Sequence, residues 1–438
     1  MTNGFAKNVA STFISRILII GMGLVASIIV ARTLGPAGKG IFAALGAMVG
    51  IALQFGNLGL HGANVYFTAK DKSKALSLTG NSFWFSLIIG LVLFFSFYLF
   101  LFQHPGALGN IDIRLAIITL IAVPFMLLAY LWQNILVGLN KIKAYNWILI
   151  SNQILSLIGA FAILLVFKRG IFPLIVFNTL TTIVIACFYG TYLFKIQQFS
   201  LRFDWDLAKK SLNYGFKIYL SCFFAYLVLR SDLFILNYFR GTTETGLYSI
   251  AANFVDGIIL LPSIIALFLL PKAVENLGQS GELIAKTARI SFIIIGVICL
   301  GAVILGRPAI NLMFGFVFDQ IFIPLLILIP GAFFFALEVI LVQYFSAHNR
   351  LLPTIYFWII AVVLNVGLNI VFIPTYGMIA AAASSLLSYF LVFILVANLF
   401  IKHSGLEIKS ILPQKEDWIS LSNLVKTNFS RKKVIKNY

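Results

Sequence analysis

Twelve apolar runs, each near or above the roughly 20 residues that a helix needs to cross a bilayer, follow one another along this chain. They cover 13–31, 41–67, 78–102, 115–139, 145–167, 171–194, 212–239, 246–270, 290–313, 321–347, 351–372 and 378–401. Lipid offers a spanning segment two solutions, a helix that bonds its own backbone or a closed barrel. Barrel strands alternate apolar and polar residues, whereas these runs are continuous, so an all-α integral membrane protein is expected. Run nine carries Arg307 and Pro308, where a break is expected. Composition agrees, at 61% hydrophobic and 11% charged, against about 25% charged in soluble domains. No small-residue cleavage site follows run one, which reads as a retained helix. Cys187, Cys222 and Cys299 fall inside apolar runs without paired spacing and read as packing residues.

Lysine and arginine orient the spans. One side collects Lys70, Lys72, Lys74, Lys141, Lys143, Lys195, Arg202, Lys209, Lys210, Lys217, Lys272, Lys286, Arg289 and Arg350, and the tail after Ile401 adds eight more. The other side holds Arg32, Lys39, Arg114, Lys168, Arg169, Arg240 and Arg307. The positive-inside rule then places both termini in the cytoplasm. The net charge of +18 is spread over loop ends, a topology signal that argues against nucleic acid as a partner. The tail 403–438 is read as a basic cytoplasmic segment. Leu412, Trp418, Ile419, Leu421 and Leu424 give it a partial apolar stripe, suited either to an interfacial helix on anionic lipid or to a solvated tail.

Charges within the runs are the candidates for function, because an ionisable group at membrane depth costs several kcal/mol and is kept for a watery path or a partner. Arg230 and Asp232 stand inside run seven. They either line a transport path or pin two helices together. Two residues on a helix are about 200° apart, so each is expected to have its own partner. Asp256 and Glu338 are further acids, either one able to pair with Arg230, Arg289 or Arg307. Asn57, His61 and Asn64 form a polar face in run two. Asn365 and Asn369 share a face of run eleven, and Ser384, Ser385 and Ser388 lie on run twelve.

The two halves of the chain echo each other at an offset of about 206 to 209 residues. Gly35, Gly40 and Phe42 after run one match Gly241, Gly246 and Tyr248 after run seven. Gly138-Leu139-Asn140-Lys141 matches Ala347-His348-Asn349-Arg350, and Lys168-Arg169-Gly170 matches Thr375-Tyr376-Gly377. Six spans per half keep equivalent helices parallel, so the repeat axis runs along the membrane normal. That pattern is a two-lobed alternating-access transporter, with lobes at 1–205 and 206–402 and the substrate path between them. No short pore loop suggests a channel.

Ala31-Arg32-Thr33-Leu34-Gly35-Pro36 with Gly40 and Phe42, and Asp232, Leu236, Gly241, Gly246, Tyr248 and Ala251, carry a family resemblance, as do Asn365, Asn369, Pro374 and Tyr376-Gly377. Over nearly its whole length the chain resembles the Wzx-type polysaccharide-lipid flippases of the MOP superfamily, whose relatives include the lipid II flippases and the MATE drug exporters. The resemblance implies a MATE-like fold of twelve helices in the bacterial cytoplasmic (inner) membrane. It implies export of an undecaprenyl-diphosphate-linked oligosaccharide to the periplasmic leaflet, without covalent chemistry, for O-antigen or another surface polysaccharide. Membrane lipids and the polysaccharide polymerase and export machinery are the implied partners.

A diphosphate is matched best by arginine's planar donor fork. Ser15-Arg16-Ile17-Leu18 resembles the arginine-bearing first helix of the lipid II flippases, so Arg16 and Arg230 are the phosphate candidates, with snorkelling at the membrane edge as the alternative for Arg16. Asn57, His61, Asn64, Asp256 and Glu338 are assigned to the substrate path. Asp232 with Asn365, Asn369 and Ser385 makes a hard-oxygen set suited to Na⁺, or to protonation of Asp232 alone, with a helix-to-helix hydrogen-bond network as the alternative; that such an ion drives transport is what the resemblance implies. The competing readings are a MATE-like drug/cation antiporter and, less compatible with short outer loops, a glycan polymerase or ligase.

Overall fold

A segment in lipid must bond every backbone N–H and C=O internally, and the apolar runs accordingly fold as helices. The computed structural model describes residues 2–348, 350, 352–414 and 417. The helices are α1 Thr2–Asn57, α2 Leu60–Lys70, α3 Ala75–Gln103, α4 Ile113–Gly138, α5 Ile142–Ala160, α6 Ile171–Lys195, α7 Trp205–Glu275, α8 Ser280–Phe314, α9 Phe322–Ala347, α10 Leu352–Tyr376 and α11 Met378–Ser404. Among the described residues there is no strand.

Ten stretches are long and apolar enough to cross a membrane. Two of them, Ser15–Asn57 and Cys222–Glu275, each cover most of two expected spans. The paired spans meet at kinks, Gly35 at φ 67°, ψ −175° in α1 and Gly241 at φ 80°, ψ −178° in α7. That backbone region is essentially open to glycine alone. The twelve expected spans are therefore helical among the described residues, span two in two pieces, and the protein is a multi-pass membrane protein. The kinks stand at equivalent positions of the sequence repeat, as do Gly109 (φ 57°) and Gly315 (φ 98°).

Three expectations change. Span two is not one helix: Leu58 (φ 47°) and Gly59 (φ 76°) end α1, where a Cβ on Gly59 would overlap the Gly215 backbone. By contrast α8 runs unbroken through Arg307 and Pro308. Pro308 removes one rung of the ladder close to the helix end, a loss that local adjustment tolerates. Finally, Cys187 and Cys222 are exposed and only Cys299 is buried, so the packing role holds for Cys299 alone.

Contacts gather the chain into two compact units. The first comprises Met1–Ile250, Ile310–Ile321 and Val366–Ala381. In it α4 packs on α3 and α6 while α1 packs on α5, around Leu45, Met48, Leu120 and Leu127 and, further along, Leu78, Trp132, Ile135 and Tyr189. A π-helical turn at Phe161–Val166 widens the end of α5 and packs Leu164 against Val30 of α1. The segment leading into α7 is stitched to α3: Asn81 donates to the Asp204 carbonyl at 2.9 Å and accepts the Asp204 N–H at 2.7 Å. Asp204 then caps α7 by accepting the Leu207 N–H at 3.0 Å.

The second unit comprises Ala251–Ala309, Phe322–Asn365 and Ala382–Tyr438. Lipid supplies little hydrophobic drive between helices, so interdigitating side chains carry the packing. Phe335 stacks on Tyr389 at 5.2 Å and meets Trp358 edge-on at 5.5 Å. Arg289 bonds the Asp417 carboxylate at 2.8 Å and the Ser410 carbonyl at 2.9 Å, fastening the segment after α11. Asn349, Leu351, the tail stripe from Trp418 and the basic cluster near Lys432 lie outside the described residues.

Candidate transport site

Asp232 is the most deeply set of the candidates in α7. It is 2% exposed, and its Oδ2 accepts the hydroxyl of Tyr248, itself 1% exposed, at 2.6 Å. Its Oδ1 lies 2.7 Å from the Leu233 N–H. The Tyr248 phenol is thus one partner of the Asp232 carboxylate. Arg230 is half-buried two residues earlier. Asn365 and Asn369 are both fully buried, one turn apart on α10. Asn369 belongs to the same compact unit as Asp232, and Asn365 to the other. Ser385 is fully buried on α11, and Ser388 donates to the Ser384 carbonyl at 2.7 Å.

No group of three or more His, Cys, Asp or Glu side chains forms among the described residues.

On the polar face of span two, Asn57 ends α1 and its Oδ1 is 2.6 Å from His61 Nδ1 across the Leu58–Gly59 break. The His61 ring lies 5.3 Å from that of Tyr130. Asn64 is committed elsewhere: its amide donates to Ser82 Oγ at 2.9 Å and to the Leu131 carbonyl at 3.2 Å, tying α2 to α3 and α4. Arg16 is exposed on α1. Asp256 is half-buried in α7, while Glu338 is 3% exposed in α9. Arg289 is taken by Asp417.

Several contacts escape a reading of the sequence. Lys39 has the look of a loop charge, yet it is 5% exposed, with its Nζ 5.9 Å from the centre of the Phe42 ring. Tyr248 was visible as a repeat and family residue, and nothing in its spacing announces a bond to Asp232. Glu244 accepts from Arg240 at 2.9 Å and from the backbone N–H of Met378 at 3.1 Å, capping α11 just after Gly377. Arg32 donates through Nε to the Met313 carbonyl at 2.8 Å and through Nη2 to that of Leu312. Outside the spans, Asp112 caps α4, and the hydrogen bond from the Arg114 side chain holds its carboxyl below the usual range.

Residues 5–271 match the family described as polysaccharide biosynthesis protein, more than half of the chain. The chain belongs to this family. No curated protein matches it. Among solved structures it is similar to a lipid II flippase, MurJ, in an inward closed conformation, with a TM-score of 0.72 at 18% identity over 93% of this chain and 89% of that one. It is also similar to an inward-facing MATE multidrug-resistance transporter of the MOP superfamily, with a TM-score of 0.70 at 16% identity over 88% and 94%. A MOP-superfamily transporter from Pyrococcus furiosus follows, with a TM-score of 0.64 at 14% identity over 91% and 96%. At such identities these likenesses establish the fold: this member of the polysaccharide biosynthesis family has the helical architecture of the MOP superfamily.

Proposed function

We propose that the protein is a flippase that moves an undecaprenyl-diphosphate-linked oligosaccharide from the cytoplasmic to the periplasmic leaflet of the bacterial inner membrane. It works by alternating access of two six-span lobes, 1–205 and 206–402, with the tail 403–438 and both termini in the cytoplasm. No bond is made or broken. The observation that carries this reading is membership of a polysaccharide biosynthesis family by a chain with a transporter fold. Arg230, with Arg16, meets the diphosphate through charge-assisted hydrogen bonds. Asn57, His61, Asp256 and Glu338 serve the sugar path, and Asn64 supports it by holding α2 in place. Asp232, with Asn365, Asn369 and Ser385, responds to Na⁺ or a proton.

The likeness to a MATE transporter favours a second reading, a drug/cation antiporter. Purified protein in vesicles separates the two. Protection of a lipid-linked glycan from an external glycosidase, or exposure to it, reports flipping, and a cationic dye reports antiport. Dye movement without glycan movement would move the protein to the antiporter class.

A further inference from the structure

The first compact unit gathers the turns that carry Gly35, Gly109, Gly241, Gly315 and Gly377. In the proposed orientation these turns form the outer end of the transporter. Among the described residues two hydrogen-bonding contacts there join the sequence halves; they run between corresponding segments, although the donors themselves are not equivalents, since Arg32 matches Tyr238 and Asn237 matches Ala31 in the repeat. Arg32, three residues before the kink glycine Gly35, donates to the carbonyls of Leu312 and Met313, just before the turn glycine Gly315. Asn237, four residues before the kink glycine Gly241, donates at 2.9 Å to the carbonyl of Leu108, just before the turn glycine Gly109. Gly35 pairs with Gly241 and Gly109 with Gly315 in the repeat. Each half thus reaches from the end of its first span onto the turn between the third and fourth spans of the other half.

Between the two contacts the kinked segments cross backbone to backbone. A Cβ on Gly40 would overlap the Thr242 carbonyl, and one on Gly246 would overlap that of Pro36. The acceptors of Arg32 are the last carbonyls of α8, which have no partner within the helix and carry its negative dipole end. Arg32 therefore neutralises a helix terminus that would otherwise require water, and it can do so only while the two turns touch.

We propose that Arg32 and Asn237, on corresponding segments of the two halves, are positioning residues that hold the outer end of the transporter shut, and that both contacts are released when that end opens. The assignment rests on the two-state transporter reading. Its chemistry is local: a guanidinium against two carbonyls on one side of the crossing, a carboxamide against one on the other.

The test is thiol accessibility. Thr245, fully buried beside the crossing, becomes the single cysteine in full-length protein whose three native cysteines are replaced, and an impermeant thiol reagent is applied from outside. Arg32→Ala and Asn237→Ala are each expected to raise the labelling rate at Thr245→Cys by about fivefold, the low end of typical coupling between sites. The double variant should exceed either, and Arg32→Lys, which keeps the charge but loses the fork, should fall between. Arg114→Ala removes an exposed arginine paired with Asp112 at the same end and should change nothing. Unchanged labelling in Arg32→Ala and in the double variant overturns the proposal, as does an equal rise in Arg114→Ala, which would mean a generally loosened bundle. Labelling needs no substrate, so a wild-type protein that fails to flip glycan while its latch variants respond would retire the flippase reading and leave the latch standing.

Discussion

Alanine at Gly40 and alanine at Gly46 are the same chemical change in one helix, and they should have opposite signs. A Cβ at Gly40 overlaps the Thr242 carbonyl and comes within 2.8 Å of the Gly246 nitrogen. Both neighbours are backbone and cannot swing aside, so the crossing itself must move, at about 1–3 kcal/mol for an overpacked methyl group. A Cβ at Gly46 meets no atom within 4 Å, and alanine there gains about 0.5–1 kcal/mol of helix preference over glycine. The two variants should differ by about 1.5–4 kcal/mol, roughly ten- to several-hundred-fold in the folded ratio. Buried Cys299 supplies the readout once exposed Cys187 and Cys222 are replaced by serine. Heating the purified protein with a thiol-reactive dye reports unfolding as that cysteine becomes reachable. Gly40→Ala should melt below the parent and Gly46→Ala at or above it. Equal melting temperatures would refute the backbone crossing.

Arg230→Ala is expected to abolish glycan export at normal protein abundance, with a smaller loss for Arg16→Ala; full export by Arg230→Ala removes that residue from phosphate binding, and loss of folded protein marks it as a structural partner. Asp232→Asn should make flipping insensitive to imposed Na⁺ and proton gradients, and Asn365→Leu should weaken the same dependence. Wild-type flipping that ignores every gradient would leave Asp232 as a packing residue. For topology, single cysteines at Gly38 and Glu244 should react with an impermeant reagent applied to intact cells, and those at Lys72 and Lys143 should not. The reverse pattern would invert the protein.

What the sequence made legible follows from what lipid forces on it. Spans had to be apolar and about 20 residues long, so their number could be read directly. The repeat was legible through glycine, because Gly35 and Gly241 hold a backbone conformation that other residues avoid. Side-chain partners were not legible, since a hydrogen bond between distant turns leaves no periodicity behind. Arg32 and Lys39 both read as loop charges, yet one caps α8 and the other is buried over Phe42. Asn64 read as a path residue because spacing on a helix reports which face a side chain shares, not which neighbouring helix consumes its donors. The break at Leu58–Gly59 was hidden for a related reason: Gly59 responds to Gly215, more than a hundred residues away.

The position of Asp232 joins the repeat to the chemistry. It lies nine residues before Gly241, and Tyr248 lies seven after it. At ~1.5 Å per residue the two legs of the kinked helix carry these side chains to depths of about 13 and about 10 Å below the turn, close enough to level for the hydroxyl to reach the carboxylate. The 2.6 Å bond is thus a consequence of where the glycine sits. The first half has the same kink at Gly35 and so the same pair of levels, but the residues at the equivalent positions, Ala26 and Phe42, have neither a carboxylate nor a hydroxyl. A repeated backbone therefore presents two geometrically equivalent places for a buried polar pair, and the side chains build it in one. An ion or proton bound at such a place acts on one half of a two-fold plan and shifts the balance between two access states only to the extent that its affinity differs between them. Installing the pair in the other half by Ala26→Asp with Phe42→Tyr should, on this reasoning, produce a folded protein with a second gradient-sensitive carboxylate. If the double variant folds but keeps the gradient response of the parent, the level argument is wrong and the surroundings of Asp232, not the kink, make the site.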